Sequence, residues 1–271
     1  MISFSVFSLL LSTDRGFMAG DSINRFSRRA DHYDRYRPGY PAGLAAFIRS
    51  QAGLTPASAV ADIAAGTGIF TELLAAWGNP IYAIEPNAAM RQLAARRLRG
   101  FPNCRLMTGT AESTGLPDRS VDLFTAAQAF HWFDPQAAKT EFIRVGREGA
   151  QVAIVWNIRR TDTPFEAAYE SLIRAYGTDY LEVSRNKMDS GLVQAFFAPV
   201  LPEYRVFVHT DELSLEQLLG RTASYSYVPE ASSTSGQKMV EALKALFGIH
   251  QHDGRVRLSY ESRLYIGALS R

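Results

Sequence analysis

The sequence predicts an α/β fold: a doubly wound, mostly parallel sheet with an antiparallel last strand. Three observations carry this. Residues 60–86 read VADIAAGTGIFTELLAAWGNPIYAIEP. A short apolar run containing Asp62 stops at the glycine loop Gly66-Thr67-Gly68. A segment with Ile69, Leu73 and Ala76 on one helical face follows, and Gly78 is placed to end it. A second apolar run, 81–84, then ends in Glu85. Strand, glycine loop, helix, strand and acid make half of a nucleotide-binding βαβ unit. Second, short apolar runs go on alternating with helical periodicity as far as residue 156, as parallel strands with crossover helices require. Third, residues 256–266 (VRLSYESRLYI) alternate in the manner of a half-exposed strand.

The chain has 271 residues, 46% of them apolar and 21% charged, which fits one or two globular domains able to bury a core without staples. A net charge of +2 is too small an excess to argue for nucleic acid or an anionic membrane. Cys104 is the single cysteine, so no intrachain disulfide forms and a reducing, cytoplasmic setting is expected. Lying in a strand, it reads as a small core residue. Residues 2–11 (ISFSVFSLLL) are too short to span a bilayer and lack the basic start of a signal peptide. Residues 1–20 therefore read as a tail or as an upstream mis-start ahead of Met18, set apart from a single domain at 21–271.

Residues 21–41 (DSINRFSRRADHYDRYRPGYP) interleave Arg25, Arg28, Arg29, Arg35 and Arg37 with acids and with Phe26, Tyr33, Tyr36 and Tyr40. A solvated helical face and a lid over a ligand both fit this mixture. With a helix at 40–52 that buries Leu44, Phe47 and Ile48, the lid region spans 21–52. Asn87 is placed to cap a helix with Met90, Leu93, Ala94 and Leu98 on its buried face. Arg91, Arg96, Arg97 and Arg99 lie off that stripe and read as a solvated face. Residues 104–107 are a third strand, 108–117 a polar loop and 120–126 a fourth strand. Asp134 caps a helix running to about 147. Residues 149–156 are almost continuously apolar, as in a strand covered on both faces. Residues 157–202 break the rhythm as an aromatic insertion with helices at 165–176 and 190–197. It serves as a cap over a small substrate or as a dimer surface. A sixth strand at 204–209, helices at 214–220 and 238–247, and the strand at 256–266 complete the chain.

A dinucleotide loop wants a small third residue in G-x-G-x-x-G or A, and Thr71 stands there instead. The loop also starts from an acid inside the strand, Asp62, in the spacing D-x-A-x-G-x-G. VADIAAGTGIFTELLA resembles motif I of the class I S-adenosylmethionine-dependent methyltransferases. Further matches follow in order: Ile84-Glu85-Pro86 then Met90, Gly109-Thr110-Ala111-Glu112, Leu116-Pro117, Ser120-Val121-Asp122-Leu123 and Ala129-Phe130-His131-Trp132-Phe133. With the leading Tyr33-Asp34-x-Tyr36-Arg37-Pro38, they are similar to the quinone-biosynthesis and trans-aconitate type of small-molecule methyltransferase (methyltransferase type 11). The resemblance covers roughly 26–156 strongly and the rest in outline. It implies a Rossmann-like, seven-stranded sheet and S-adenosyl-L-methionine as cofactor, with S-adenosyl-L-homocysteine as product. It also implies a small-molecule methyl acceptor for a monomer or homodimer. An NAD-dependent oxidoreductase and a cofactor-binding module without catalysis stay open as alternatives.

Carried over residue by residue, the resemblance implies that Ala64, Gly66 and Gly68 approach the methionine part of the cofactor, with Asp62 near its amino group. Glu85, with Pro86 and Met90 behind it, holds the ribose diol. Ala111 and Glu112 flank the adenine, and Gln128 lies beneath the methionyl chain. Tyr33 and Arg37 close over the cofactor, Arg37 pairing its carboxylate. A sulfonium favours aromatic faces, for which Tyr33, Trp132 and Phe133 are candidates. His131 is the candidate general base if the acceptor must lose a proton, and otherwise a helix-start histidine or cofactor contact. A carboxylate acceptor needs no base, and Arg159 or Arg160 would receive its charge. No Asn-Pro-Pro-Tyr or Asp-Pro-Pro-Tyr run follows strand four, which disfavours amino-methylation of nucleic-acid bases. No cysteine or histidine cluster suggests a metal. One departure from the family pattern is Ala64-Ala65 in place of Gly-Cys, and an alanine at 64 fits the loop if its φ is negative.

Overall fold

A computed structural model describes residues 36–178, 180 and 190–270. The expectations for the tail, for the lid as far as residue 35 and for Tyr33 lie outside the described residues. Seven strands form one sheet: β1 (Val60–Ile63), β2 (Ile81–Ile84), β3 (Cys104–Met107), β4 (Val121–Ala127), β5 (Gly146–Arg159), β6 (Glu203–Leu213) and β7 (Val256–Ala268). Their order is β3-β2-β1-β4-β5-β7-β6. The first five pair in parallel, and β7 runs antiparallel to both β5 and β6. This is the predicted fold class.

Eight helices accompany the sheet among the described residues: α1 (Ala42–Gln51), α2 (Ile69–Ala75), α3 (Ala88–Arg97), α4 (Pro135–Val145), α5 (Pro164–Tyr176), α6 (Ser190–Phe197), α7 (Leu215–Ala223) and α8 (Thr234–His250). Their starts follow local chemistry. Asn87 accepts the Met90 N–H, Asp134 accepts those of Gln136 and Ala137, and Thr163 and Ser214 make reciprocal capping boxes with Glu166 and Gln217. On one face of the sheet, Leu44 and Ile48 of α1 and Leu74 of α2 pack on Val60, Leu123, Val155 and Leu264. On the other, Phe142 of α4 and Phe196 of α6 pack on Phe124, Ile154 and Trp156.

The structure differs from the sequence expectation in two ways that bear on the site. β5 runs on through Asn157, Ile158 and Arg159, because β7 supplies partners to its backbone there, Ser262, Glu261 and Tyr260. β4 stops opposite Val155, so the last residues of β5 outrun it. The 157–202 stretch also divides. α6 joins the layer beside α4, whereas α5 packs with α7 and α8 in a second core built on Tyr169, Leu218, Leu243, Leu258 and Tyr260. That second core caps the carboxyl end of β5. β7, last in the chain, is interior to the sheet. Its alternation reflects one fully buried face, Val256 to Ile266 in steps of two, and one partly covered face. No helix among the described residues is long and apolar enough to cross a membrane.

Candidate active site

The chain leaves β1 towards β2 and leaves β4 towards β5, on opposite sides, so a crevice opens above the carboxyl ends of β1 and β4. The cleft found there is lined by Arg37, Pro38, Tyr40, Asp62, Ala64, Ala65, Gly66, Thr67, Ile69, Phe70, Ala127, Gln128 and Asn157.

The glycine loop is the floor of one end. Gly66 and Gly68 both have left-handed φ, 60° and 83°. Their reasons differ. A Cβ added at Gly66 would meet nothing within 4 Å, so this glycine leaves its backbone open to the cleft. A Cβ at Gly68 would meet Leu98 and Ala94 only at an ordinary 3.4–3.5 Å, so there the left-handed φ at the start of α2, not space, calls for glycine. Ala64 also has a left-handed φ, 54°, so the negative angle at which alanine would fit without strain is not the one the loop adopts. The turn out of β1 demands that conformation whatever residue stands there, and alanine bears the strain glycine would not. The Thr67 hydroxyl is buried in the loop without a hydrogen-bond partner.

Glu85, buried at the tip of β2, ties the loop together. Its Oε2 accepts the Gly66 N–H at 2.9 Å and its Oε1 accepts the Asn87 N–H at 2.8 Å. Burial pushes its pKa up, and those two N–H groups and Arg91 pull it back only in part. Each oxygen keeps a further lone pair for a hydroxyl donor. Asp62 lies beneath, with Oδ2 accepting from Thr71 of α2 at 2.5 Å and Oδ1 from Thr125 of β4 at 2.7 Å. Burial pushes its pKa up to about 6 against those two hydroxyls. Thr71 thus uses the third position of the glycine pattern to reach Asp62.

Two arginines of the run on α3 are not part of a solvated face. Arg91 donates to the carbonyls of Glu85 (2.8 Å) and Pro86 (2.7 Å). Arg97 donates to the Thr67 carbonyl (3.1 Å) and pairs with Glu72 (2.7 Å). Backbone carbonyls at the strand tip and loop need donors, and these long side chains fold back to supply them.

Arg37 and Gln128 line the cleft with Asp62, Ala64 and Gly66. Arg37 donates to the Ser224 carbonyl at 3.1 Å and lies 5.1 Å from the Tyr225 ring centre. Gln128 has φ 61°, its N–H on the Val155 carbonyl and its side-chain Nε2 on the Asn157 carbonyl at 3.3 Å. Met90 is buried on α3. Beyond β3 and β4, Ala111 is buried, and the Glu112 carboxylate accepts the Asp134 N–H at 2.9 Å. His131 and Trp132 sit in a single 3₁₀ turn with ring centres 4.6 Å apart. Trp132 is exposed, whereas Phe133 packs inward near Phe130.

Arg159 stands apart, inside the cap. It pairs with Glu170 at 2.9 Å and donates to the hydroxyls of Tyr227 (3.0 Å) and Tyr180 (3.2 Å), and its guanidinium lies 4.9 Å from the Tyr225 ring centre. Burial opposes its charge, but the phenols and Glu170 around it more than compensate. Arg160 pairs with Asp162. Sequence reasoning placed Tyr40 only within the lid mixture and Thr67 only within the glycine loop, and it missed Phe70 and Asn157 in the cleft. Asn157 alone carried a signal, as a polar residue closing an apolar strand at its carboxyl end.

Residues 61–154 match the family model described as a methyltransferase domain. The chain is 25% identical over 247 residues to an uncharacterized methyltransferase-like protein of Schizosaccharomyces pombe, covering 90% of this chain and 94% of that one. It is 38% identical over 136 residues to an uncharacterized methyltransferase of Mycobacterium tuberculosis, and 30% identical over 125 residues to a demethylmenaquinone methyltransferase of Renibacterium salmoninarum. These last two matches cover 49% and 45% of this chain, and each spans about half of the relative, 52%. Among solved structures, a protein described as a type II methyltransferase from Anaeromyxobacter dehalogenans superposes with a TM-score of 0.65 at 25% identity, over 87% of this chain and all of the other. Residues 61–154 thus match a methyltransferase domain, and this sheet order, those relatives and that structural neighbour make the chain similar to the class I S-adenosylmethionine-dependent methyltransferases.

Proposed function

We propose that this chain transfers the methyl group of S-adenosylmethionine to a small organic molecule. The observation that carries this reading is Glu85, held by two backbone N–H groups beside the open face of Gly66 with a lone pair left on each oxygen. A ribose diol is the natural donor pair for such a carboxylate. The buried, unpartnered Thr67 hydroxyl and the Cβ-free face of Gly66 also suit a ligand that approaches the loop backbone closely. The use of Thr71 to hold Asp62 leaves no third small residue for a dinucleotide, which disfavours the NAD alternative.

When bound, S-adenosylmethionine supplies a methyl group already activated on its sulfonium. What remains for the protein is to position and to exclude water. Glu85 would accept the ribose hydroxyls, with Pro86 and Met90 shaping the wall behind it. Ala64, Gly66 and Gly68 would let the methionine portion lie against backbone. Arg37 would face its carboxylate across the cleft from Gln128. Ala111 and Glu112 would border the adenine. Trp132 would offer an exposed aromatic face to the acceptor side, with Phe133 behind it. His131 would take a proton only from an acceptor whose reacting atom still carries one. Arg159, committed to Glu170 and two tyrosines, would stabilise the cap over the acceptor side. The relative named for demethylmenaquinone supports an acceptor of small-molecule size.

Calorimetry with S-adenosylmethionine and with NAD tests the reading. The parent protein is expected to bind the first and not the second. Glu85→Ala should weaken binding by about 1–3 kcal/mol through loss of charge-assisted hydrogen bonds. Affinity for NAD alone, or a Glu85→Ala variant that binds like the parent, would overturn the assignment.

A further inference from the structure

We infer that Asn157 is a positioning residue: it fastens the 36–41 segment across the mouth of the cleft and thereby sets how long the cofactor stays bound. The inference rests on the cofactor reading above for its second half only. Asn157 lies two residues before the end of β5, opposite Ser262 of β7. Its side-chain Nδ2 donates to the Gly39 carbonyl at 2.8 Å, and its Oδ1 accepts from the Ser262 hydroxyl at 2.5 Å. Its own carbonyl accepts from Gln128. One residue therefore joins the overlying segment, the last strand and the far wall of the cleft.

The segment needs that tie. At one end Tyr36 donates to Glu216 at 3.1 Å and Arg37 to the Ser224 carbonyl, both on or next to α7. At the other, the Tyr40 ring packs edge-on against Phe70 of α2 at 4.8 Å. Between them Gly39 is exposed, and a Cβ built on it would meet no atom within 4 Å. Packing does not hold this point, so the bond from Asn157 does. Ser262, fully buried, decides which way the Asn157 amide faces. With the serine proton directed at Oδ1, Nδ2 must turn to Gly39. Arg37, Pro38 and Tyr40 of the same segment line the cleft.

Asn157→Asp tests this almost without change of shape. The carboxylate still accepts from Ser262, but sets an oxygen against the Gly39 carbonyl in place of a donor. Hydrogen–deuterium exchange of the cofactor-free protein should then show peptides covering 36–41 exchanging about tenfold faster. Stopped-flow binding of S-adenosylmethionine should show dissociation about tenfold faster with association unchanged. Ser262→Ala, which frees the amide to turn, should give the same changes at smaller size. A purely structural role would lower the melting temperature without separating the two rates. Parent-like exchange at 36–41 in Asn157→Asp overturns the inference. If that variant does not fold, parent-like exchange in Ser262→Ala does so instead. Faster exchange with a parent-like dissociation rate overturns the retention half. Should the parent bind no S-adenosylmethionine, the proposed function falls, while the exchange result still judges the tie to Gly39.

Discussion

Ala64 shows at the scale of one residue how family pattern and backbone demand part company. Its φ of 54° falls in the left-handed region, where a Cβ costs about 1–2 kcal/mol. Glycine removes that strain but adds unfolded-state entropy worth roughly 0.5–1 kcal/mol. Ala64→Gly is therefore expected to stabilise the protein by about 0.5–1 kcal/mol, seen as a higher urea midpoint with an unchanged slope. A lower midpoint would mean that the methyl makes packing contacts worth more than the strain. Gly66, Asp62 and Glu85 were legible from the sequence because their spacing encodes the strand–loop–helix–strand order. The sign of φ at 64 was not, since residue type states a preference and the turn imposes the angle.

Between elements, Asp62 joins three, tying β1 to α2 through Thr71 and to β4 through Thr125. Burial raises its pKa from the ordinary 3.8 to about 6. A raised carboxyl favours the fold in its protonated form. Its contribution is therefore complete below about pH 4, declines as pH rises towards 6, and is gone above that. The shift corresponds to about 3 kcal/mol. Asp62→Asn keeps partners for both threonine hydroxyls without the buried charge. It should flatten the dependence of stability on pH between 4 and 6, and be more stable than the parent at pH 7 by about 1–3 kcal/mol. Denaturation curves across that range check this, and an unchanged slope would mean another group controls it. Helix starts at Asn87 and Asp134 were legible because caps are local. The work of Arg91 and Arg97 was not, since periodicity reports which side a residue leaves the helix and not where a long side chain bends back.

For the whole molecule, the cap over the carboxyl end of β5 is the part that sequence pattern conveyed least. Arg159 from the sheet, Glu170 and Tyr169 from α5, and Tyr225, Tyr227 and Tyr260 meet in one buried cluster. Burial raises the pKa of Tyr169, Tyr227 and Tyr260. At Tyr225 it is outweighed by Arg159, Arg221 and Arg37, which bring that phenol below its usual value. Removing one partner of a buried ion pair leaves the other unpaired, so Arg159→Ala should cost about 3–5 kcal/mol. The loss should appear in chemical denaturation together with a changed near-ultraviolet circular dichroism from the tyrosines. A cost under about 1 kcal/mol would show that the cap does not depend on this pair.

Local pattern sufficed for the sheet class, the strand sequence and the glycine loop with its acid, because pleat alternation, helical periodicity and capping act over a few residues. Tertiary structure alone decided the rest. β7 became interior, β5 lengthened through pairing with it, and the aromatic stretch after β5 split between two cores. Asn157 acquired a role from Gly39 and Ser262, 118 and 105 residues away in the chain. Contacts at such separations depend on how sheet edges and helix faces close on one another, and no window of neighbouring residues contains that information.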